Sequence, residues 1–359
     1  MAEQAAVEHV HVRRVGFVAV FLWGLRILAV LAIVYGSWVS LASGRLTADQ
    51  WKDLVVFGFA QGSMYTLIAL GYTMVYGVLK FINFAHGEVF MSGAMIGFFA
   101  ADALQNAGFW NAHPVQSLLI VLLVSMTTST TVAVLVERIA YRPLRGAPRL
   151  IPLITSIGAS FTLQYLFKGL FGAGTKSYPP LDALKGAWDI FGFTILKNQS
   201  VVIAASLIMM AGLYLFVEKT RTGRAMRAVA EDPETAALMG VDVERTIVKV
   251  FAVGGAMAGA AGALWGLVFP TVYFLTGFFP GIKAFTAAVL GGIGNIAGAM
   301  LGGVSLGLFE GVGPSLVLAG FHVPAFNQLR DVVAFVALVL VLIFRPTGIL
   351  GEQLAEERG

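Results

Sequence analysis

The sequence predicts an all-α fold, a polytopic membrane helix bundle with nine or ten membrane segments that include one broken, glycine-rich pair. Three observations indicate this class: 58% of the 359 residues are hydrophobic, only 12% are charged, and long apolar runs recur along the chain. Soluble proteins carry about 25% charged residues, so most of this chain has no aqueous face to cover. Composition alone therefore favours a membrane protein.

Apolar runs of sufficient length occur throughout, since a helix needs about 20 residues to cross roughly 30 Å of hydrocarbon. The first could be a signal peptide, but it is longer than the usual apolar core and contains Arg26, so it is interpreted as a span. The two adjoining runs in 284–313 contain many glycines, which break or bend a helix. Two half-length segments are therefore favoured there over one span. The predicted segments are 15–41, 53–79, 84–104, 115–136, 150–171, 200–218, 246–268, 284–296 with 297–313, and 331–345.

Lys and Arg residues in the short loops predict the orientation, because cytoplasmic loops carry the positive excess. Loops 137–149 and 219–245 are rich in arginine and are separated by two predicted spans, so both are assigned to the cytoplasm. Loop 172–199 is then external. The predicted organisation is an N-terminal extension with the first helix (1–50), a transmembrane domain (51–351) and a cytoplasmic tail (352–359), with Arg13 and Arg14 also inside.

Several classes of chemistry are excluded. The chain has no cysteine, and its five histidines form no metal-binding pair, so neither a metal site nor a cofactor is expected. Its charges cluster between apolar runs and form no basic face for nucleic acid. No nucleophile–base pair stands out, so no enzymatic activity is predicted. Residues 172–177 resemble a phosphate-binding loop but lack glycine before Lys176, and are interpreted as a flexible turn.

Residues 232–240 predict a short, well-capped helix of about two turns. Asp232 before Pro233 is typical of an N-cap followed by proline at the first helical position, and Glu234 favours the positive helix end. Gly240 is expected to end the helix in the left-handed conformation. Such a helix suits docking into a groove of another protein, although an ordinary connector has the same pattern.

Four motifs carry a resemblance to a known family. Glu234, Thr235, Ala236 and Gly240 match the Glu-Ala-Ala-x-x-x-Gly coupling motif of ABC importer permeases, with threonine in place of the first alanine. Three longer stretches narrow the match. Together the motifs resemble the shorter of the two permeases of branched-chain amino acid ABC importers over about residues 53–351, whereas residues 1–50 depart from that family. The longer stretches are 71–88, 283–294 and 345–351.

The resemblance implies partners and a site. It implies a second related permease subunit, two cytoplasmic ATPase subunits, and a periplasmic or lipid-anchored substrate-binding protein, assembled in the lipid of the bacterial inner membrane. The transported substrate would be a branched-chain or similar hydrophobic amino acid, and ATP hydrolysis would belong to the partner chains. The residues expected to couple this chain to the ATPases are Glu231, Asp232, Glu234, Ala236 and Gly240.

Polar residues at membrane depth are costly and indicate function by default. Asn83, His86 and Glu88 open the third span, where Asn83 is expected to act as an N-cap. Glu310 either sits at the interface or pairs across helices. The backbone at the glycine-rich break is expected to face a substrate. Six residues are therefore candidates for the translocation pathway: Asn83, His86, Glu88, Gly294, Asn295 and Glu310.

Small residues in the span 246–268 predict close helix packing. Gly255 and Gly259, and Gly262 and Gly266, lie four residues apart and so share helix faces that let a neighbouring helix approach.

Other functions stay open from the residues alone. A urea or short-amide permease of the same superfamily would share the motifs. A self-sufficient channel or secondary transporter would need no ATPase, and the coupling segment argues against it. An intramembrane enzyme would need a pair of catalytic groups at depth, and none is evident.

Overall fold

The computed structural model of the protein describes residues 17–148, 150–190 and 192–351. The predicted tail 352–359, together with Arg13, Arg14 and Arg149, lies outside the described residues. Within them, nine helical segments are long and apolar enough to cross a membrane, and one shorter apolar helix accompanies them. The predicted all-α bundle of nine or ten segments is confirmed.

Thirteen α-helices are present in the described part of the chain. They are α1 (Phe17–Ala42), α2 (Ala48–Leu79), α3 (His86–Asn106), α4 (Phe109–Ala112), α5 (Pro114–Val136), α6 (Leu150–Phe171), α7 (Lys197–Lys219), α8 (Arg221–Glu231), α9 (Pro233–Leu238), α10 (Val243–Val268), α11 (Phe278–Gly291), α12 (Ile296–Gly313) and α13 (Arg330–Phe344).

Two of these helices continue in another helical form. A π-helical turn, Glu137–Tyr141, and a 3₁₀ turn, Arg142–Leu144, follow α5. A second π-helical turn, Pro314–Leu318, follows α12.

Helix α2 begins earlier than predicted, at Ala48 instead of residue 53. Thr47 caps it, because its hydroxyl accepts a hydrogen bond from the Gln50 backbone while the Gln50 side chain returns to the Thr47 backbone N–H. This reciprocal capping box satisfies two of the unpaired donors at the helix start. The helix therefore begins with a polar turn, which a prediction based only on the apolar run does not include.

Helices α2 and α12 pack backbone to backbone along a seam of glycines. A Cβ added to Gly58 would lie 2.8 Å from the Gly307 carbonyl oxygen, and one added to Gly62 would lie 2.9 Å from the Gly303 oxygen. A Cβ on Gly311 would lie 2.8 Å from the Gly58 Cα. Because these glycines recur every four residues on each helix, they share one face. The absent side chains permit an approach that no larger residue would allow.

The predicted small-residue faces of α10 are also confirmed as packing faces. Gly255 and Gly259 lie against the backbone of α5, and a Cβ on Gly255 would be 2.8 Å from the Ser129 oxygen. Gly262 faces α3, where a Cβ would lie 2.6 Å from the Ala94 nitrogen. Gly266 lies against the Tyr178 ring. One helix thus packs closely against two neighbours through glycines on different faces.

The glycine-rich pair is broken, as predicted, but its two parts are unequal. Helix α11 has 14 residues, whereas α12 with the following π turn forms a full-length apolar segment, so the prediction of two half-length segments is wrong for the second. Gly292 and Gly294 both have positive φ and turn the chain back, and Asn295 then caps α12 by accepting from the Gly298 N–H. The result is an antiparallel hairpin.

The last described residues close over this hairpin turn. The backbone N–H groups of Ile349 and Leu350 donate to the carbonyl oxygens of Leu290 and Gly291, at 2.9 Å each. The Asn295 amide donates to the Leu350 oxygen at 3.0 Å. The two backbone bonds supply donors to carbonyls at the end of α11 that have no helical partner.

The two arginine-rich regions meet at one end of the bundle, which we term the basic end. Arg145, after α5, forms ion pairs with Glu137 and with Glu244 at the start of α10, and Arg142 also pairs with Glu244 at 3.1 Å. The segment 220–242 connects α7 and α10 at this same end. The predicted grouping of these two loops is therefore consistent with the structure.

The opposite end, which we term the far end, contains four short strands that the sequence did not predict. Strand β1 (Lys176–Ser177) pairs antiparallel with β4 (Thr271–Val272), and β2 (Ala187–Ile190) pairs antiparallel with β3 (Phe193–Leu196). Gly172 has the positive φ of 85° that a turn favours, whereas the interpretation of 172–177 as a flexible turn is wrong for the last two residues, which form β1. Their backbone groups pair with a segment almost a hundred residues away, which local pattern does not reveal.

We expect Gly307→Val to destabilise the bundle, because its side chain would collide with the α2 backbone at Gly58 and Gly62. Overpacking of this kind costs about 1–3 kcal/mol or more in the free energy of unfolding. The melting temperature in detergent measures the loss. Gly158→Val in α6 is the matched control, since nothing lies within 4 Å of a Cβ there. An equal melting temperature for both variants would contradict the role of the seam.

Candidate coupling segment and translocation site

The segment between α7 and α10 folds as two helices joined by one residue. The basic stretch that the sequence left without structure is α8, and the predicted short helix is α9. Asp232 caps α9 as predicted: its carboxylate accepts from the Glu234 N–H at 2.9 Å and from the Thr235 hydroxyl. These hydrogen bonds, led by that of Thr235, hold the pKa of the exposed Asp232 carboxyl below its usual value. The cap therefore stays ionised near neutral pH.

Gly240 ends α9 in the left-handed conformation, as predicted, with φ of 84°. The Val241 N–H donates to the Ala236 oxygen and the Gly240 N–H donates to the Ala237 oxygen, both at 3.0 Å. This pair of bonds is a Schellman motif, which satisfies carbonyls left unpaired by the helix. Capped at both ends, α9 is a stiff element despite its six residues.

The tip of α9 presents apolar side chains outward. Leu238 is 88% exposed and Met239 is 80% exposed, whereas Ala236 is buried against the rest of the chain. Exposed apolar residues on a rigid element at the basic end form a surface suited to another protein. An ion pair between Arg227 and Glu218 ties α8 to the end of α7, so the segment is braced against the bundle.

A cavity of about 670 Å³ at the basic end joins two groups of predicted residues. Its wall includes Glu231 from α8, Lys80 after α2, and Gly294 and Asn295 from the hairpin turn. From the sequence, Glu231 was predicted to couple the chain to an ATPase, and Gly294 and Asn295 were predicted to lie in the translocation pathway at membrane depth. The structure instead places Gly294 and Asn295 beside α8 and the C-terminal segment, because the hairpin turn reaches the end of the bundle.

Asn83 does not cap α3, so that prediction is wrong. Helix α3 begins at His86, and the preceding residue is Ala85, whose side chain has no capping group. Asn83 lies three residues before the helix, where its side-chain oxygen accepts from the Ala85 N–H at 3.1 Å and from the Tyr141 hydroxyl at 2.5 Å. The turn residues 83–85 thus hold Asn83 as a buried bridge between the α2–α3 connection and the end of α5.

His86 and Glu88 lie in the first turn of α3, and both are buried. The His86 ring stands edge-on to the Tyr72 ring with centroids 4.9 Å apart. Glu88 accepts from the Gln164 amide at 2.7 Å, and it lines a cavity of about 200 Å³ together with Tyr72. Glu88 therefore has access to a space inside the bundle, while His86 serves the packing around it.

Glu310 pairs across helices, which was one of the two predicted alternatives. Its Oε1 lies 2.7 Å from the Lys283 Nζ of α11 and 2.7 Å from the Gln61 Nε2 of α2. Tyr65 of α2 donates to the same oxygen at 3.4 Å. The Lys283 Nζ also contacts Asp331 of α13 at 2.7 Å. Four helices thus meet at one buried ion pair.

The partners of Glu310 were not predicted from the sequence. Lys283 stands in the apolar helix α11, and the rule that flagged Glu310 as an ionisable residue at depth applies equally to it. Gln61 and Tyr65 carry no charge and gave no such signal. Asp331 lies in the first turn of α13, where a carboxylate is ordinary, so only the fold reveals its contact.

A cavity of about 450 Å³ opens beside this ion pair. Gln61, Tyr65, Lys283, Glu310 and Arg330 contribute its polar wall. Glu310 lies 14 residues after the start of α12 at the hairpin turn, which is about 21 Å along the helix axis. The cavity is therefore remote from the basic end, and Thr271 of β4 lies at its far-end margin. Its remaining wall is mainly apolar: Phe57, Trp265, Phe269, Pro270, Tyr273, Leu275, Thr276, Phe279 and Pro280 also line it.

In the described residues no group of three or more histidine, aspartate or glutamate side chains is placed to hold a metal ion. The polar groups at depth are instead arranged as ion pairs and amide hydrogen bonds. Such an arrangement suits the passage or binding of a small polar molecule.

Comparison with known proteins gives a consistent assignment. Residues 54–342 match the family described as branched-chain amino acid transport system / permease component. The chain is 42% identical over 306 residues to the high-affinity branched-chain amino acid transport system permease protein BraD of Pseudomonas aeruginosa, covering 84% of this chain and 96% of that protein. It is 39% identical over 305 residues to LivH of Escherichia coli K12, a permease protein of the same description, covering 84% and 95%.

A more distant relative is also matched over nearly its whole length. The probable branched-chain amino acid transport permease protein LivH of Methanocaldococcus jannaschii is 28% identical over 315 residues, covering 85% of this chain and 95% of that protein. The family match begins at residue 54, after α1. The resemblance seen in the motifs is thus confirmed, and the chain belongs to the branched-chain amino acid transport system permease family.

Proposed function

We propose that this chain is the permease subunit of an ATP-driven importer that takes up branched-chain amino acids across the bacterial inner membrane. The observation that carries the proposal is the identity of 39–42% with permease proteins of high-affinity branched-chain amino acid transport systems over nearly their whole length. Residues 51–351 form the permease domain, and residues 1–50 add one helix to it. The basic end faces the cytoplasm, as the positive-inside rule requires.

The partners follow from this assignment. A second related permease completes the pathway, two ATPase subunits bind at the basic end, and a periplasmic or lipid-anchored binding protein delivers substrate to the far end. Helix α9, with Leu238 and Met239 exposed at its tip, supports docking of an ATPase subunit. Glu231, Asp232, Glu234, Ala236 and Gly240 belong to this coupling segment. Asp232 and Gly240 cap the two ends of α9 and keep it stiff, and Glu231 lines the cavity that the segment shares with the hairpin turn.

Two alternative functions differ from this proposal in the transported molecule or in the need for an ATPase. A urea or short-amide permease would share the fold and the ATPase partners and would differ in the transported molecule. A self-sufficient channel or secondary transporter would move solute without an ATPase. The stiff, doubly capped helix α9 favours the ATP-driven importer, since a channel has no need of an exposed force-transmitting element.

We expect the complete transporter, reconstituted in proteoliposomes with its ATPase subunits and binding protein, to accumulate radiolabelled leucine when ATP is supplied. Leucine and urea are compared in the same vesicles, with and without ATP. The chain reconstituted alone is expected to move neither. Uptake of urea without leucine would establish the first alternative, and transport by the chain alone would establish the second.

We expect Gly240→Val to uncouple ATP hydrolysis from uptake while leaving membrane insertion intact. Its φ of 84° disfavours a β-branched residue by about 1–3 kcal/mol, so the end of α9 would unwind. Nothing lies within 4 Å of an added Cβ, so steric clash does not confuse the result. Leucine uptake per ATP hydrolysed in proteoliposomes is the measurement.

Gly240→Asn is the matched control for this variant, because asparagine adopts the left-handed conformation more readily than other residues with a Cβ. It should retain most of the coupled transport. Wild-type coupling in Gly240→Val would show that the Schellman motif at the end of α9 is dispensable.

A further inference from the structure

We propose that the cavity beside Glu310 binds the zwitterionic head group of an aliphatic α-amino acid. Glu310 and Gln61 hold the ammonium group, and Arg330 holds the carboxylate. The inference rests on the proposed function for the class of substrate, and it adds the location and the chemistry of a binding site in this chain. Three features of the cavity carry it: unpartnered acceptors, an uncommitted cation and an aromatic wall.

The acceptors are two buried oxygens that lack a hydrogen-bond partner. Glu310 Oε1 accepts from three donors, whereas Glu310 Oε2 has none, and Gln61 Oε1 has none either. Both side chains line the cavity and are only 3–4% exposed. A buried acceptor without a donor is costly, and an ammonium group brings three donors. The two oxygens are covered from solvent, so a side-chain rotation accompanies binding.

The cation is Arg330, at the start of α13. Its guanidinium lies over the Phe57 ring at 5.3 Å from the centroid, and it forms no ion pair with the residues that the structure describes. A guanidinium binds a carboxylate through two parallel hydrogen bonds. Lys283 is not available in the same way, because Glu310 and Asp331 hold its ammonium from two sides. Lys283 therefore positions Glu310, and Arg330 is left for the ligand.

The aromatic wall suits an aliphatic side chain. Phe57, Trp265, Phe269 and Phe279 line the cavity together with its polar groups. The Trp265 and Phe269 rings are in contact, with centroids 4.3 Å apart and planes tilted by 31°. Sites for small molecules typically combine such a surface with a few polar groups that fix orientation.

Charge balance distinguishes a zwitterion from other ligands. The protein groups at the site are Lys283 and Arg330 against Glu310 and Asp331, so their formal charges cancel. A ligand with a net charge would leave an uncompensated charge in a low-dielectric region, which is strongly unfavourable. A zwitterion adds no net charge: its carboxylate can meet Arg330, and its ammonium can meet the unpartnered oxygen of Glu310. A neutral amide such as urea can hydrogen-bond to both groups, but it brings no counter-charge to either of them.

We test the assignment with the complete transporter in proteoliposomes, measuring uptake of radiolabelled leucine by Glu310→Gln and Arg330→Gln. Each variant is expected to lower uptake about 10-fold or more, because it leaves one end of the zwitterion unpaired. Uptake is expressed per assembled complex, so that a variant that assembles less well is not mistaken for one that binds leucine less well. Uptake at the wild-type rate in either variant would overturn the proposal.

Asp102→Asn is the matched control. Asp102 lies near the end of α3, where its carboxylate accepts from the Asn106 amide, and it is not among the described residues that line the cavity. Uptake is expected to remain within about 2-fold of wild type. A loss equal to that of Glu310→Gln would mean that removal of a carboxylate far from the cavity has the same effect, and would overturn the binding role. If the wild-type transporter moves no leucine, the proposed function itself fails, whatever the variants do.

A second measurement leaves the buried charges intact. The chain has no cysteine, so Leu275→Cys in the cavity wall introduces a single thiol that N-ethylmaleimide labels in the complete transporter without ATP. Leucine is expected to slow this labelling more than isocaproate, which lacks the ammonium group, or isoamylamine, which lacks the carboxylate. Labelling of Asn106→Cys, at the end of α3, should respond to none of them. Absence of protection by leucine, or equal protection by the analogues, would overturn the proposal.

Discussion

The close approach of α2 and α12 determines where the functional groups of this protein meet. Gly58 and Gly62 on one helix and Gly307 on the other allow the two backbones to touch. Gln61 lies within this seam on α2, and Glu310 lies within it on α12. Because the helices are so near, a short amide side chain reaches the carboxylate at 2.7 Å. Glycine packing and the buried polar network are therefore one feature of the fold.

The same seam explains how the bundle keeps charged groups away from lipid. An isolated charge at depth would be prohibitive, and a buried ion pair is tolerated only with good geometry and further hydrogen bonds. Glu310 meets this condition on one oxygen only, since Oε1 has three donors and Oε2 has none. Glu88 is similar: one oxygen accepts from Gln164 and the other is unpartnered. Incomplete satisfaction of buried carboxylates beside cavities is the pattern expected of sites that receive a ligand.

The sequence was sufficient for the fold class, most of the spans and the caps of α9, because each depends on local composition or on turn chemistry within a few residues. Asp232 and Gly240 are examples. It was insufficient where distant segments meet. Strand β1 pairs with β4 across the chain, and Lys283 reaches Glu310 from a helix that ends before the hairpin turn. The prediction that Asn83 caps α3 was wrong because the sequence pattern does not show where the helix begins. A turn over residues 83–85 precedes it, and α3 starts only at His86.

Helix α11 is the physical connection between the two ends of the site. It carries Lys283, whose ammonium holds Glu310, and it ends at Gly291 in the turn that lines the basic-end cavity with Glu231. Backbone hydrogen bonds from Ile349 and Leu350 fix that turn to the C-terminal segment. Because a helix of 14 residues is stiff along its axis, α11 ties the position of Lys283 to that of the hairpin turn. The position of the hairpin turn therefore bears on the geometry of the ion pair, in which the second oxygen of Glu310 has no partner among the described residues.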